Sequence, residues 1–270
     1  MSNQKECRIF DLNLSETEIP YLMKEVNNTI VKWVHSLEKK KVRQEEKCFV
    51  VEGKKCVTDT IRNFNVRHLF VTPNYEGDLL RDAVEVTNVQ MERMSMLKTP
   101  TDVLAVYEVP NWKFSIEELR GNLTLALDNI QDPGNLGTII RIADWFGVKN
   151  IICGNGTVDA YNPKVVQATM GAISRVRLHY MSLPAFFERA KGIPVYGTFL
   201  DGVDLYDVDV AEEGIVVMGN EGNGISPDME KYMTKRLLIP PYPKNFKTSE
   251  SLNVGMATAI ILSEFRRRMK

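Results

Sequence analysis

Residues 123–141 read LTLALDNIQDPGNLGTIIR, and the change of pattern within them decides the fold class. The first five residues form a continuous apolar run, which is typical of a strand buried on both faces of a parallel sheet. The polar residues that follow include a Pro-Gly pair, and they lead into the apolar spacing of a helix. A strand, a polar loop and a helix in this order predict an α/β protein with mostly parallel strands.

The same alternation extends along most of the chain. Further strands are predicted at residues 48–51, 68–71, 103–107, 150–153, 175–178, 195–199, 215–218 and 237–239. Helices are predicted near residues 54–64, 76–83, 138–146, 163–169, 184–190, 228–234 and 252–268. A proline and an aromatic pair without clear periodicity mark a linker near residue 110. We therefore predict an extension (1–27), a small α/β domain (28–109), a linker (110–119) and a second α/β domain (120–270).

Composition narrows the class of protein. The chain has 270 residues, 44% of them hydrophobic and 26% charged, which excludes disordered and fibrous classes. The 34 lysines and arginines nearly balance the 35 acidic residues, so any contact with nucleic acid must come from local clustering of charge. No stretch approaches the roughly 18 apolar residues of a membrane helix, and residues 1–20 lack the pattern of a secretory signal.

The cysteines indicate a reducing compartment. Cys7, Cys48, Cys56 and Cys153 lie far apart, without a C-x-x-C pair. Zinc-binding spacing is therefore absent, and we expect reduced thiols in a cytoplasmic protein.

The first candidate loop follows the strand at 123–127, because ligands of α/β sheets usually bind at the carboxyl ends of strands. Arg141 comes four residues after Gly137 in the predicted helix, so both lie on one helical face. Helical side chains lean toward the helix N-terminus, which aims the guanidinium of Arg141 back at the polar turn. An anion site and an ordinary helix start with a solvated arginine are both compatible with this spacing.

The second candidate loop, GNEGNG at residues 219–224, follows an apolar strand. Its glycines allow positive φ and close approach of a ligand to the backbone. The loop has neither the Gly-Lys-Ser/Thr ending of a P-loop nor the dinucleotide fingerprint. Glu221 is either a carboxylate that faces a ligand or a residue of an ordinary turn.

The third candidate loop runs from Ile239 through a proline-rich stretch to the last helix. Ser251 is predicted to be the N-cap of that helix, with Asn253 in its first turn. A structural role at the start of the helix is enough to explain both residues. The free amides of the turn can also hold a polar group of a ligand.

Together the three loops resemble the SpoU-type branch of the SPOUT RNA methyltransferases. The resemblance lies in NLGTIIR at residues 135–141, in GNEG at 219–222, and in SLNV at 251–254 preceded by Ile239 and Pro240. All three stretches occur in the family's order within roughly the last 150 residues of the chain. Their combination is far more specific than any one loop.

This resemblance implies the fold, the cofactor and the site. It implies a C-terminal domain knotted as a trefoil, a homodimer with a shared active site, and S-adenosylmethionine as methyl donor. The catalytic set that it implies is Arg141, Asn135, Glu221, Ser251 and Asn253. The cofactor contacts that it implies are Gly219, Ile239, Leu252, Thr198 and Asn253.

The first domain is similar to the small ribosomal-protein-like α/β domain with which many members of the family bind RNA. Residues 32–55 contain eight lysines and arginines against four glutamates. Such a run is often only a solvated helix face, but here it lies in the element expected to meet phosphate. The predicted RNA contacts are Lys39, Lys40, Lys41, Arg43 and Lys54, and rRNA is favoured over tRNA as the substrate.

The acceptor that the family implies is a ribose 2′-hydroxyl, and a sulfonium donor needs no metal. None of the three loops contains a histidine, so an imidazole base is not available there. Our hypothesis is that Arg141 binds an RNA phosphate and stabilises the developing alkoxide. Asn135, Ser251 and Asn253 would orient the ribose, and Glu221 would fix Arg141 or contact the opposing subunit.

Two other classes remain open at this point. A non-catalytic RNA-binding protein would keep the basic domain, although the retained polar residues of all three loops favour an enzyme. A nucleotide-dependent oxidoreductase would need an opening glycine fingerprint and an acidic ribose partner about 20 residues later, which the sequence lacks.

Overall fold

The computed structural model describes residues 26–79, 83–243 and 251–268, and they form two sheets. The first sheet has the strand order β1-β4-β2-β3, in which β4 is antiparallel to both β1 and β2. Its strands are β1 (Cys48–Glu52), β2 (Val66–Val71), β3 (Val84–Glu85) and β4 (Val103–Glu108). The helices of this part are α1 (Asn28–Ser36), α2 (Lys40–Glu46), α3 (Lys54–Thr60) and α4 (Asn88–Met94).

The second sheet has six strands in the order β10-β8-β9-β5-β6-β7, and every neighbouring pair is parallel. Its strands are β5 (Leu123–Leu127), β6 (Asn150–Cys153), β7 (Arg177–Tyr180), β8 (Val195–Asp204), β9 (Gly214–Met218) and β10 (Lys235–Leu238). Its helices are α5 (Pro133–Trp145), α6 (Pro163–Thr169), α7 (Leu183–Arg189), α8 (Pro227–Glu230) and α9 (Val254–Arg268). The predicted α/β class with a mostly parallel sheet is confirmed.

The central strands are buried on both faces. In β5, Leu125 and Leu127 belong to the core layer that also contains residues of α5 and α9, whereas Ala126 belongs to the layer that contains residues of α7. Successive side chains of a strand point to opposite faces, so a continuous apolar run supplies both layers. This explains why the strand at 123–127 is apolar apart from Thr124, which is itself buried.

Helix α5 begins five residues earlier than predicted. Asp132 is its N-cap, and the Asp132 carboxylate accepts a hydrogen bond from the Asn135 amide at 2.8 Å. Pro133 occupies the first helical position, where its missing N–H removes no intrahelical hydrogen bond. The Pro-Gly pair is therefore the first turn of the helix, and Asn135 lies inside that turn.

Helix α9 also begins at a different residue from the predicted one. Asn253 precedes Val254, and its Oδ1 accepts hydrogen bonds from the amides of Gly255 at 3.0 Å and Met256 at 3.3 Å. Asn253 is therefore the N-cap, and the prediction of Ser251 for that role is wrong by two residues. Ser251 lies exposed in the turn before the helix.

In the second sheet and its helices, β8 extends beyond the predicted 195–199 to Asp204, α8 ends at Glu230 rather than at 234, and β7 lies two residues later than predicted. Further differences lie in the first part of the chain. Helix α4 was not predicted, although Thr87 and Gln90 form a capping box at its start, a signal that is readable from sequence. The helix predicted at 76–83 falls partly on residues 80–82, outside the described residues, and its described part contains no α-helix. Residues 1–25 of the predicted extension also lie outside the described residues, whereas Asn27 caps α1.

The two sheets are joined through a continuous apolar core. The ring of Phe49 in β1 lies 4.6 Å from the ring of Tyr161, which immediately precedes α6. Asn63 donates a hydrogen bond from Nδ2 to Ser174 Oγ at 3.2 Å across the same junction. Within the described part of the chain, no helix combines the length and the apolar character needed to cross a membrane.

Candidate functional site

Three side chains from the three candidate loops are hydrogen-bonded to one another. Asn135 donates from Nδ2 to Glu221 Oε1 at 2.5 Å, and Asn253 donates from Nδ2 to Asn135 Oδ1 at 2.8 Å. Asn135 is separated from Glu221 by 86 positions and from Asn253 by 118. The structure therefore brings the first turn of α5, the glycine-rich turn after β9 and the N-cap of α9 to one place.

Glycines allow α5 to pack closely against both α6 and α9. A Cβ atom on Gly137 would lie 2.4 Å from the Ala168 Cβ, so α5 and α6 approach more closely than any side chain would permit. A Cβ atom on Gly255 would lie 2.9 Å from Thr138 Cγ2, which sets the distance between α9 and α5. This spacing holds the N-terminal turns of α5 and α9 within hydrogen-bonding reach.

The turn after β9 is closed by its own backbone. Asn220 and Gly224 exchange two backbone hydrogen bonds of 2.9 and 2.8 Å, and Asn220 Oδ1 accepts from the amide of Gly222 at 2.9 Å. A Cβ atom on Gly219 would lie 2.2 Å from the carbonyl carbon of Gly224, so only glycine allows this closure. Glu221 therefore projects from a turn of defined shape.

Two asparagines that the sequence analysis did not single out support this turn. Asn220 donates from Nδ2 to the Asn129 carbonyl oxygen at 2.9 Å, which links the ends of β9 and β5. Asn129 has a positive φ of 61°, a conformation that asparagine tolerates better than most residues. An asparagine directly after a predicted strand is the sequence signal that could have identified this contact.

Arg141 lies away from the three bonded side chains. It is exposed on α5, six residues after Asn135, and at about 100° per residue it faces a different direction. Arg141 donates no hydrogen bond to any residue that the structure describes, and the carboxylate of Glu221 accepts from Asn135 instead. The hypothesis that Glu221 fixes Arg141 within one chain is therefore not supported, and we assign Glu221 to Asn135.

The predicted cofactor contacts lie on neighbouring elements. Gly219 follows β9 directly, Ile239 follows β10, and Thr198 lies in β8 between these two strands of the sheet. Thr198 donates from Oγ1 to the Val217 carbonyl oxygen at 3.2 Å, so its hydroxyl forms a hydrogen bond between β8 and β9. Leu252 is 49% exposed beside Asn253. Residues 244–250 of the third loop, which follow its prolines, lie outside the described residues.

The predicted RNA contacts fall into two groups. Lys39, Lys40 and Lys41 are exposed at the start of α2, and Lys54 is exposed at the start of α3, where its Nζ contacts the Glu76 carbonyl oxygen. Arg43 differs from them because its side chain is only 3% exposed.

The guanidinium of Arg43 is turned into the protein. It donates to Asp159 Oδ2 at 2.6 and 3.1 Å and to the carbonyl oxygens of Leu37 and Glu38 at 2.8 and 2.6 Å. A cation that is held this way cannot reach a phosphate without breaking a buried ion pair. We correct the predicted RNA-contacting set by leaving Arg43 out of it.

The fold and the site define an α/β protein with a cluster of hydrogen-bonded polar side chains at the carboxyl edge of a parallel sheet, the edge at which ligands of such sheets usually bind. Residues 122–263 match the model of the SpoU rRNA Methylase family, and residues 28–105 match the model of the MRM3-like substrate binding domain. The chain belongs to the SpoU rRNA methylase family.

Relatives match over almost the whole chain. The 23S rRNA (guanosine(2553)-2'-O)-methyltransferase RlmP of Bacillus subtilis (strain 168) is 29% identical over 248 residues, covering 89% of this chain and 96% of the relative. A solved structure from Porphyromonas gingivalis, described as an RNA methyltransferase of the TrmH family, is 40% identical with a TM-score of 0.80, covering 90% and 99%. An AdoMet-bound rRNA methyltransferase from Sinorhizobium meliloti is 30% identical with a TM-score of 0.79, covering 92% and 98%.

Proposed function

We propose that this protein transfers the methyl group of S-adenosylmethionine to a ribose 2′-hydroxyl of RNA, with rRNA as the substrate. The observation that carries the proposal is the hydrogen-bonded contact of three loops through Asn135, Glu221 and Asn253. The names of two relatives support the reaction: the Bacillus subtilis relative is a 23S rRNA 2′-O-methyltransferase, and the Sinorhizobium meliloti structure contains AdoMet. We place the activity in the cytoplasm, because Cys48, Cys56 and Cys153 are free thiols.

The residues of the site fit this donor. Gly222 and Gly224 are exposed, and a Cβ atom on Gly224 would meet no atom within 4 Å, so the backbone of the turn is open to a ligand. The backbone groups at Gly219, Ile239 and Leu252 can bind its uncharged ribose and base. Glu221 places a carboxylate beside these groups, which favours a cationic ligand. When bound, the donor supplies a methyl group that is already activated by attachment to a sulfonium.

The chain's own residues have to align and activate the acceptor. Asn135, Ser251 and Asn253 orient the ribose hydroxyl, and the carboxylate of Glu221 holds the amide of Asn135 in one rotamer. Arg141 binds an RNA phosphate and stabilises the negative charge that develops on the 2′-oxygen. Guanidinium groups hardly release a proton in proteins, so this role is electrostatic rather than that of a general base, and the proton of the 2′-hydroxyl leaves to water as the oxygen takes the methyl group.

The first sheet and its helices provide the RNA-binding, ribosomal-protein-like domain. Lys39, Lys40 and Lys41 present three exposed cations in succession, and Lys54 adds a fourth. Each phosphate that they neutralise releases counterions, so RNA affinity should fall with salt concentration.

We also propose that the chain forms a homodimer through α5 and α9. Trp145 is 85% exposed one turn after Arg141, and Met256 of the neighbouring helix α9 is 61% exposed. Large exposed apolar side chains on adjacent helices are typical of a protein interface. A partner at this surface would complete the site beside Arg141.

We also propose that the C-terminal domain contains a trefoil knot. Its support is the order of the last elements: β10 pairs with β8 on the outer side of the sheet, and the chain then returns to α9, which packs on α5. A Cβ atom on Gly202 would lie 2.5 Å from the carbonyl carbon of Leu237, which shows how closely β8 and β10 pass.

The test is methyl transfer from labelled S-adenosylmethionine to an unmodified rRNA transcript, followed by digestion to nucleosides. We expect the label in a 2′-O-methylated nucleoside. Label on a base would contradict the proposed acceptor. Binding of RNA without transfer and without calorimetric binding of S-adenosylmethionine would support the non-catalytic alternative instead.

A further inference from the structure

A cleft with aromatic walls lies outside the site described above, at the junction of the two sheets. Its volume is about 370 Å³, and it is formed by the segment at 109–114, by β7 and by Tyr161. Trp112, Phe114, Tyr161, His179 and Tyr180 supply its rings. We name it the junction cleft. From this structure we propose that the junction cleft binds an unpaired base of the RNA substrate.

Tyr180 is the exposed ring of the cleft, Trp112, Phe114 and Tyr161 are partly exposed, and His179 is buried behind them. Tyr180 is 42% exposed, and its hydroxyl is fixed because it donates to the Val158 carbonyl oxygen at 2.6 Å and accepts from the Ala160 amide at 2.8 Å. His179 lies 5.0 Å from Phe114, and burial lowers the pKa of His179, so this ring is neutral at about pH 7. Fixed aromatic faces are the surfaces on which unpaired RNA bases stack.

A cation lies beside the wall of the cleft. The guanidinium of Arg177 lies 5.5 Å from the centroid of Trp112, and its side chain is 47% exposed. Arg177 forms only a 3.4 Å ion pair with the half-buried Glu118, a contact that water screens. A cation beside aromatic rings matches the chemistry of a nucleotide, whose phosphate is anionic and whose base has π faces.

Backbone groups of the cleft can read the edge of a base. Strand β7 is the last strand of its sheet and pairs with β6. The amides of Arg177 and Met181 donate to β6, so in a parallel ladder the N–H and C=O groups of Leu178 and Tyr180 point to the outer edge. Leu178 and Tyr180 both line the junction cleft, so their outward groups can donate to and accept from a base.

The position of the cleft favours RNA over a peptide strand as its occupant. The carboxyl end of β7 lies two strands from that of β5, a distance of about 10 Å, and the helix that follows β5, α5, carries Asn135 in its first turn. Tyr161 of the cleft also contacts Phe49 of the first sheet. An RNA that reaches both the lysines of α2 and the three bonded loops would pass this junction. The inference therefore rests on the proposed function.

The first experiment uses the full chain and a short single-stranded RNA that contains 5-iodouridine, which cross-links to aromatic side chains that stack on it. After irradiation and digestion, we expect the cross-linked peptide to contain Trp112, Tyr161 or Tyr180. Cross-links confined to peptides outside the junction cleft would overturn the inference.

The second experiment measures the affinity of the same RNA by fluorescence anisotropy. Trp112→Leu should weaken binding roughly fivefold to a hundredfold, as expected when stacking on one ring is lost. Arg177→Gln should also weaken it. Arg120→Gln is the matched control, because Arg120 forms a similar 3.5 Å ion pair with Glu213 away from the cleft. The RNA affinity of this variant should not change. Equal affinities for all three variants would refute the inference.

The experiments distinguish a failure of the proposed function from a failure of the proposal for the junction cleft. Methyl transfer with cross-links only outside the junction cleft would leave the proposed function intact and refute the cleft. Cross-links within the cleft without binding of S-adenosylmethionine would refute the proposed function and leave the cleft intact. Calorimetric binding of S-adenosylmethionine by each variant also checks that Trp112→Leu is folded.

Discussion

At the scale of single residues, the proposed mechanism depends most directly on Arg141. It is exposed on α5 and donates to none of the described residues, so its guanidinium is available to RNA. We predict that Arg141→Lys lowers kcat/KM for an rRNA transcript roughly tenfold or more. An ammonium keeps the charge but cannot form two parallel hydrogen bonds to a phosphate.

The control for this change is Arg189→Lys, since Arg189 is an exposed cation in the last turn of α7. Both variants should bind S-adenosylmethionine as the unchanged protein does. A near-normal rate for Arg141→Lys would refute the two-point contact with phosphate.

At the scale of elements, Asn253 has two separable tasks. Its Oδ1 caps α9, and its Nδ2 donates to Asn135. Asn253→Asp retains the cap but removes the donor, so we predict nearly unchanged thermal stability and a large loss of methyl transfer. Asn253→Ala removes both, and should also cost about 1 kcal/mol of stability. Thermal unfolding and transfer rates measured on both variants give the comparison. Equal activity of Asn253→Asp and the unchanged protein would exclude a role for the contact with Asn135.

The C-terminal turn of α9 is held by a buried carboxylate. Glu264 accepts hydrogen bonds from Arg267 at 2.7 and 2.8 Å and from Arg268 at 2.5 Å. Arg268 also donates to the carbonyl oxygens of Leu205 and Tyr206, which attaches α9 to the end of β8. Arg268, whose contacts the sequence alone does not place, therefore attaches α9 to the end of β8, while Arg267 and Arg268 together hold Glu264.

This cluster predicts a dependence of stability on pH. Hydrogen bonds from Arg267 and then Arg268 lower the pKa of Glu264 from 4.5 to about 2. Because the folded pKa is depressed, the ionised carboxylate stabilises the fold above about pH 4.5, and this contribution is lost as the pH falls toward 2. Urea unfolding between these pH values should show a shallower loss of stability for Glu264→Gln than for the unchanged protein. The control, Glu212→Gln at an exposed site, should follow the unchanged protein.

At the scale of the whole molecule, the buried pair of Arg43 and Asp159 joins the two sheets. Arg43→Ala leaves a carboxylate at the junction without its cation, and we predict a loss of about 3–5 kcal/mol in the free energy of unfolding. Lys40→Ala, three residues away on the exposed side of α2, should leave stability within about 0.5 kcal/mol and weaken RNA binding. Chemical denaturation and RNA titrations at two salt concentrations separate these effects. Equal stability of both variants would contradict a structural role for Arg43.

Strands β5 and β9 and the start of helix α5 show how far the sequence could predict the fold. The apolar runs at 123–127 and 215–218 predicted β5 and β9 almost to the residue, because burial on both faces leaves a pattern within one segment. The start of α5 was missed by five residues, since Asp132 and Pro133 were interpreted as a loop rather than as an N-cap and a first helical position. The sequence therefore contained the signal for the start of α5, but the prediction assigned those residues to a loop.

The sequence alone therefore determined the α/β class, the positions of most strands, and which loops carry amides, carboxylates and cations. These features depend on residues that are neighbours in the chain. Only the tertiary structure decided that Glu221 holds Asn135 rather than Arg141, and that Arg43 is buried against Asp159 while Lys40 is exposed. Such pairings join residues 86 or 116 positions apart, and they depend on how distant elements pack together rather than on any local pattern.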